Sequence, residues 1–372
     1  FTELEAITKD QIFRKNNRYA WRDQLLSIGE RASALIFASL LSHWDIPAHA
    51  REAQHFIKTD SSFGRAQVDL DTTRNLIQQA VSSADGIPVI TGFIGSNDDK
   101  QITTLGRSGS DYTAGLVASA LDAEKLEIWT DVNGVLTADP KWVPGAESIQ
   151  QLSFADISEL SAHGANVIHP QTIRPLQNTD TAVVVKNSHN PVHPGTLITK
   201  DFNTNGALKT ITITGPFVRL QVEQAYAQPL IQKLRPWLPT NPFENAVSFT
   251  QQSAFEPARL LLEQSFFDRV ADQLARWAAE NNVVLDLQDD LYKVKKFSNH
   301  FTQNESLTNR IWNLLDANDL QPVESHRNRD ERFISFLFTR YYAQRIAQLL
   351  NNYLRYNHTI IHLFVPGTSQ FV

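Results

Sequence analysis

The chain has 372 residues, 20% charged and 42% hydrophobic, which excludes a disordered or fibrous protein and supplies apolar material for two or three domains of roughly 150 residues each. Its 34 basic and 40 acidic residues leave a net charge of -6, so no general field draws it to nucleic acid or to an anionic membrane. It contains neither Cys nor Met, which excludes disulfides, thiolate metal sites and a cysteine nucleophile.

No basic-then-apolar leader and no apolar run of 18 residues stands out, so the expectation is a cytoplasmic protein with no membrane and no nucleic-acid partner. Helical periodicity covers Glu30 to Trp44, Asp71 to Ala84, Tyr112 to Ala123 and Phe154 to Gln177. Short apolar runs at Pro88 to Thr91, Leu126 to Thr130 and Ala182 to Lys186 read as strands. This alternation predicts an α/β layer architecture with a largely parallel sheet, whose ligands sit at the carboxyl ends of the strands. After Thr199, Lys200 to Gly206 reads as a polar linker.

Beyond the linker, Phe267, Val270, Ala271, Leu274, Trp277 and Ala278 form one helix face, followed by a strand at Val283 to Leu287. Leu307, Ile311, Leu314 and Leu315 mark another helix. A strand Leu320 to Glu324, a turn His326 to Glu331, a strand Phe333 to Phe338 and a helix Tyr342 to Leu354 come next. The order predicts two small α+β modules. Lys293 to Lys296 reads as a solvated strand or loop.

Five segments have side chains suited to chemistry. Gly106-Arg107-Ser108-Gly109-Ser110-Asp111 precedes a helix, where free N–H groups suit an anion and Arg107 can grip a carboxylate bidentately; a glycine turn with Ser110 or Asp111 as N-cap explains it equally well. Gly92-Phe93-Ile94-Gly95 leaves a strand at its carboxyl edge. Asp131, after Thr130, can face a nucleotide or its magnesium, and Lys141 can meet a phosphate, against a bland reading as an Asn133-Gly134 type I′ turn and an Asp139-Pro140 bend. Glu30 opens the first long helix, where the dipole alone would favour an acid, yet it can also bind an ammonium. His169, before Pro170, reads as a structural hydrogen-bonder. No metal cluster and no Walker lysine motif is present, so no metal ligand is assigned.

Taken together, Gly29-Glu30-Arg31-Ala32-Ser33, Ser62-Phe63-Gly64-Arg65-Ala66, Gly92-Phe93-Ile94-Gly95, Thr103 to Tyr112, Ile128 to Val132, Thr137-Ala138-Asp139-Pro140, Gly164 to Pro170 and Pro194-Gly195-Thr196 resemble aspartate kinases in order and spacing over residues 28–200. The resemblance implies an amino-acid kinase-like three-layer sandwich with a mainly parallel open sheet, followed by α+β ACT-like regulatory modules. It implies a catalytic domain over 1–200, paired ACT-like domains over 207–355, and in 356–372 a strand completing the last module or the start of a fused domain such as homoserine dehydrogenase. The implied reaction moves the γ-phosphoryl of ATP, with Mg²⁺, to the β-carboxylate of L-aspartate.

By the same resemblance Glu30, Phe93, Arg107, Ser110 and Asp111 surround the aspartate, with Arg107 and Asp111 central to catalysis. Thr130, Asp131, Lys141 and Asn166 line the nucleotide. An effector amino acid, lysine or threonine, is implied at the ACT-like modules of a homodimer or higher homo-oligomer. Departures from the family pattern are the Lys-Phe-Gly-Gly loop not found before Gly29, Asn166 in a lysine slot, Lys141 in an arginine slot, Leu136 in a tyrosine slot and Ser108 in a glycine slot. They leave open a non-catalytic amino-acid sensor on a kinase scaffold.

Overall fold

The computed structural model describes residues 5, 17–81, 86–162, 168–200, 210–238, 247–250, 257–297, 305–327 and 333–361. Two units divide the chain: residues 1–135, 148–161 and 165–203 form the first, and 136–147, 162–164 and 204–372 the second.

The first unit begins with α1 (Arg18–His43), whose N-cap Asn17 accepts a hydrogen bond from the Ala20 N–H at 3.1 Å. The helix therefore starts twelve residues before the expected Glu30, which lies in its middle. By length and composition α1 is long and apolar enough to cross a membrane, which the sequence reading did not anticipate. Its buried stripe is nonetheless Ala20, Asp23, Ser27, Ala34 and Ala38, small enough for close packing on β1 (Ala48–Arg51), β2 (Ile87–Ile90) and β4 (Ile102–Thr104). Asp23 is fully buried, and its Oδ2 accepts from the Gly64 N–H at 2.7 Å and the Thr104 N–H at 2.8 Å.

Strands β1 and β2 pair in parallel, and β3 (Ile94–Ser96) and β4 form an antiparallel hairpin. Helices α2 (Leu70–Val81) and α3 (Gly109–Ala120) pack on each other around Ile57, Ile77, Ile94, Leu105 and Leu116. Four strands form a further sheet in the order β5-β7-β8-β6: β5 (Lys125–Thr130), β7 (Ala182–Asn187), β8 (Thr196–Thr199) and β6 (Gln151–Ser153). Pairs β5–β7 and β6–β8 are parallel and β7–β8 is antiparallel, so the strands of this unit are mainly parallel. The expected helix Phe154 to Gln177 is broken: α4 (Phe154–Ala162) is followed by the short α5 (Pro170–Ile173) and a 3₁₀ turn at Arg174–Leu176. Pro170 stands at the first position of α5, where its missing N–H is not needed, and Pro175 lies in the 3₁₀ turn.

The second unit is one antiparallel sheet, ordered β10-β11-β9-β12-β14-β13, in which two modules interlock. Its elements are β9 (Ile211–Val222), α6 (Gln224–Leu234), β10 (Val247–Thr250), β11 (Ala258–Glu263), α7 (Gln264–Asn281), β12 (Asp286–Phe297), α8 (Glu305–Asp316), β13 (Glu324–Arg327), β14 (Phe333–Thr339) and α9 (Arg340–Ile361). The second half of β9 pairs with the first half of β12 and closes one βαββαβ module around Leu220, Leu230, Leu260, Phe266 and Leu274. The first half of β9 pairs with the second half of β12, and so supplies the outer strand of the other module around Val294, Ile311, Phe336 and Ile346.

The changeover falls at Gly215-Pro216, opposite register shifts at Gln288/Leu291 and Leu291/Lys293. A Cβ on Gly215 would lie 2.8 Å from the Leu291 carbonyl oxygen, so the bulge needs glycine there.

Four expectations in this half are corrected. Lys293 to Lys296 is not solvated: it lies in the central strand β12, Lys296 is buried, and burial pushes the Lys293 ammonium below its ordinary pKa. The strand expected at Val283 to Leu287 starts only at Asp286, after the left-handed cap Asn282, and runs on to Phe297. Leu320 is not in a strand: its N–H donates to the Leu315 carbonyl as α8 ends, and its side chain enters the core. His326 belongs to β13, not to a turn. At the far end, α9 runs to Ile361, so Thr359 to Ile361 are helical, and the edge a terminal strand would have filled is held by β9. The remainder of that expected strand, and the linker residues 201–206, lie outside the described residues.

Asp23→Ala is expected to cost about 3–5 kcal/mol in urea unfolding, since it removes two charged hydrogen bonds and strands two buried N–H groups. Asp23→Asn, which can keep both acceptor bonds, should cost less than half of that.

Candidate active site

The expected acceptor residues sit where two backbone turns are pressed together. The chain leaves β2 through Thr91, Gly92 and Phe93, the last with a left-handed φ of 69°. A Cβ on Gly92 would lie 2.8 Å from both Cβ and Oγ of Ser110, so only glycine lets this strand exit lie against the start of α3. Thr113 fixes the same junction: its hydroxyl accepts from the Phe93 N–H at 3.1 Å and donates to the Gly109 carbonyl at 2.9 Å. Phe93, Ser110 and Asp111 are thus brought together.

Ser108, at φ 55°, is the N-cap of α3 and makes no side-chain cap bond. Ser110 and Asp111 therefore lie inside the helix, and neither is the capping residue that the plain glycine-turn reading required. Burial raises the pKa of the Asp111 carboxyl above its ordinary value, and no cation among the described residues offsets it. The arrangement suits an incoming ammonium.

Arg107 is exposed on the Gly106 turn and close enough to His169 to depress its pKa, although burial of the imidazole is the larger cause. His169 accepts from the Gln171 N–H at 3.3 Å as the cap of α5, in keeping with a structural role. Glu30 is half-buried in mid-helix, where the dipole that would have excused an acid near a helix start is absent. No hydrogen bond or ion pair holds it among the described residues. The neighbouring Arg31 binds Glu52 at 3.0 Å, at the exit of β1.

Thr130 and Asp131 stand at the carboxyl end of β5, beside the end of its parallel partner β7. The Thr130 hydroxyl donates to Asp131 Oδ1 at 3.2 Å, and the Ser188 N–H donates to the Thr130 carbonyl at 2.8 Å. The turn that follows is not type I′, because Gly134 is left-handed and Asn133 is not. Asn133 is instead held through its Oδ1, which accepts from Asn187 Nδ2 at 2.8 Å. Lys141 is exposed, follows an Asp139 that caps its N–H at 2.8 Å, and belongs to the second unit. Asn166 lies outside the described residues.

Three positioning side chains escaped the sequence reading: Asp23, Thr113 and Asn187. Only Asn187 carried a signal, its place one residue past a recognised strand. Among the described residues no group of three His, Asp or Glu is placed to hold a metal ion.

Because the raised Asp111 pKa means that the folded state binds this proton more tightly than the unfolded one, stability falls as pH rises above 3.8. Asp111→Asn should therefore raise the melting temperature at pH 7, and the gain should disappear as pH falls below 3.8; scanning calorimetry at several pH values checks this.

An amino acid kinase family model matches residues 2–187. The chain is 40% identical over 181 residues to the lysine-sensitive aspartokinase 3 of Escherichia coli, which covers 48% of this chain and 40% of that protein. It is 26% identical over 388 residues to the bifunctional aspartokinase/homoserine dehydrogenase of Buchnera aphidicola, covering 99% of this chain and 46% of that one. The chain thus spans less than half the length of these curated relatives. The crystal structure of E. coli aspartokinase III with aspartate and ADP superposes with a TM-score of 0.69 at 26% identity, over 91% of this chain and 76% of the other. With the family model covering half of its length, the chain belongs to the amino acid kinase family.

Proposed function

We propose that this chain serves an aspartate kinase: transfer of the γ-phosphoryl of ATP to the β-carboxylate of L-aspartate, giving 4-phospho-L-aspartate at the head of lysine, threonine and methionine synthesis. The observation that carries the reading is the half-buried Asp111, which no cation among the described residues offsets, set with Ser110 and Phe93 at one strand exit, with the exposed Arg107 four residues earlier. An amino acid with a carboxylate for Arg107 and an ammonium for Asp111 or Glu30 answers that pattern of charge.

The acceptor is an ionised carboxylate, so no general base is needed. One of its oxygens forms a bond to the γ-phosphorus while the bond from that phosphorus to the β,γ-bridging oxygen breaks and ADP leaves. The work of the protein is positioning and charge neutralisation. Arg107 and Asp111 fix the two ends of the aspartate, Phe93 and Ser110 wall it, and Thr130 and Asp131, with Lys141 and Asn166, attend the nucleotide. A single exposed carboxylate, Asp131, fits Mg²⁺ that arrives largely coordinated by phosphate oxygens and water, and the ion would neutralise phosphate charge there. The second unit is read as paired ACT-like modules that bind lysine or threonine in a cytoplasmic homo-oligomer.

A second reading, an amino-acid sensor without catalysis, is favoured by Asn166 standing in the lysine slot. Calorimetry separates the two, because the sensor binds lysine or threonine without binding ATP. The 99% coverage by the Buchnera relative favours a fused dehydrogenase as a further domain, which the continuing reading frame would reveal.

A coupled assay is expected to show aspartate-dependent ADP formation. Arg107→Ala should raise the KM for aspartate about 10–100-fold, with little recovery in Arg107→Lys, because a point charge does not replace a bidentate grip.

A further inference from the structure

The segment Leu136–Glu147 belongs to the second unit although chain of the first unit flanks it on both sides. It leaves through a neck of two rungs. The Ile149 N–H donates to the Val135 carbonyl at 2.8 Å, and two residues on, the Thr137 N–H donates to the Glu147 carbonyl at 2.8 Å. The Glu147 N–H returns a bond to the Thr137 hydroxyl at 3.0 Å.

That hydroxyl also donates to Asn351 Oδ1 on α9 at 2.8 Å, across 214 residues of sequence. The Thr137 carbonyl meanwhile accepts from the Ile211 N–H at 2.8 Å, where β9 begins. Asn351 is 2% exposed, and its amide donates to the Gly145 carbonyl at 3.4 Å. Past the neck, Ala138 and Val143 enter the core with Ile346, Ala347 and Leu350, and Trp142 meets Tyr292 edge-on at 5.0 Å.

We infer that Thr137 and Asn351 are positioning residues for phosphoryl transfer, holding the Leu136–Glu147 segment on which the Lys141 turn lies. The inference rests on the nucleotide assignment proposed above. A buried amide facing a hydroxyl that donates and accepts at once leaves the neck one arrangement, since any shift strands a buried polar atom. Helix α9 thereby sets the arrangement of a turn that it follows by some two hundred residues.

The test uses the full chain. Thr137→Val keeps the shape and removes the hydroxyl, and Thr137→Ser restores it. The expected result is a rise of about tenfold or more in the KM for ATP in Thr137→Val, a KM for aspartate within about twofold of wild type, and recovery in Thr137→Ser, consistent with 1.4 kcal/mol per tenfold. Asn351→Leu should match Thr137→Val, and the double variant should be no worse than either single one. An unchanged KM for ATP overturns the inference, as does an equal rise in both KM values, which is what general loosening would give. A wild type that binds ATP but forms no aspartate-dependent ADP defeats the kinase reading alone, and the ATP dissociation constants of the same variants then decide the inference. A wild type that binds no ATP defeats both.

Discussion

Twelve residues of β9 lying antiparallel to twelve of β12 hold the second unit together. Each strand serves two modules, and each changes allegiance at the Gly215-Pro216 bulge, so neither module owns a full set of four strands without the other. Where β12 joins the second module, from Leu291 to Phe297, every residue is buried or half-buried. The lysines of β12 are accordingly buried or lie against aromatic rings, Lys293 on Phe217 at 5.7 Å and Lys295 on Phe333 at 5.3 Å, instead of facing water.

The first unit places its polar side chains by another constraint, close approach of backbone. Gly92 against Ser110, with Thr113 bonding across, brings a strand exit against a helix start whose carboxylate, Asp111, has no counter-charge among the described residues. Such a group raises the energy of the empty protein and lowers it again when a cation arrives, which favours a zwitterionic guest over a simple anion. The exit of β5 is built differently, from side-chain amides and hydroxyls that hold the turn there and leave Asp131 at the surface.

Elements with one clear apolar stripe were legible in sequence. Val270, Leu274 and Trp277 of α7 are such a stripe, though the structure buries Phe266 where the sequence reading placed Phe267, and Ala343, Ile346, Ala347 and Leu350 of α9 are another. What sequence could not carry was partnership. Leu320 looks like a strand residue and is a helix stop; Lys293 to Lys296 looks solvated and is central; the C-terminal apolar residues through Ile361 look like a strand and extend a helix whose sheet edge was already taken. In the acceptor region the glycines, Arg107 and Asp111 were visible because their types are chemically conspicuous. Asp23 was not, since an aspartate in a helix looks ordinary until its partner, 81 residues away, is known, and Thr137, visible in the Thr137-Ala138-Asp139-Pro140 segment, gave no sign of its partner 214 residues away.

The interlocked modules also bear on how the chain is made. The first half of β9 emerges from the ribosome before any of the three strands that complete its module, and its partner in the second half of β12 is roughly eighty residues later. At about 5–20 residues per second that is several seconds with an unpaired strand edge on show. The stretch Ile211–Thr214 alternates Ile with Thr, high in strand propensity and without charge. Nascent chains waiting at that point are the stage at which the protein is most open to pairing with the wrong neighbour, and slower translation through α6 to α7 would lengthen the exposure.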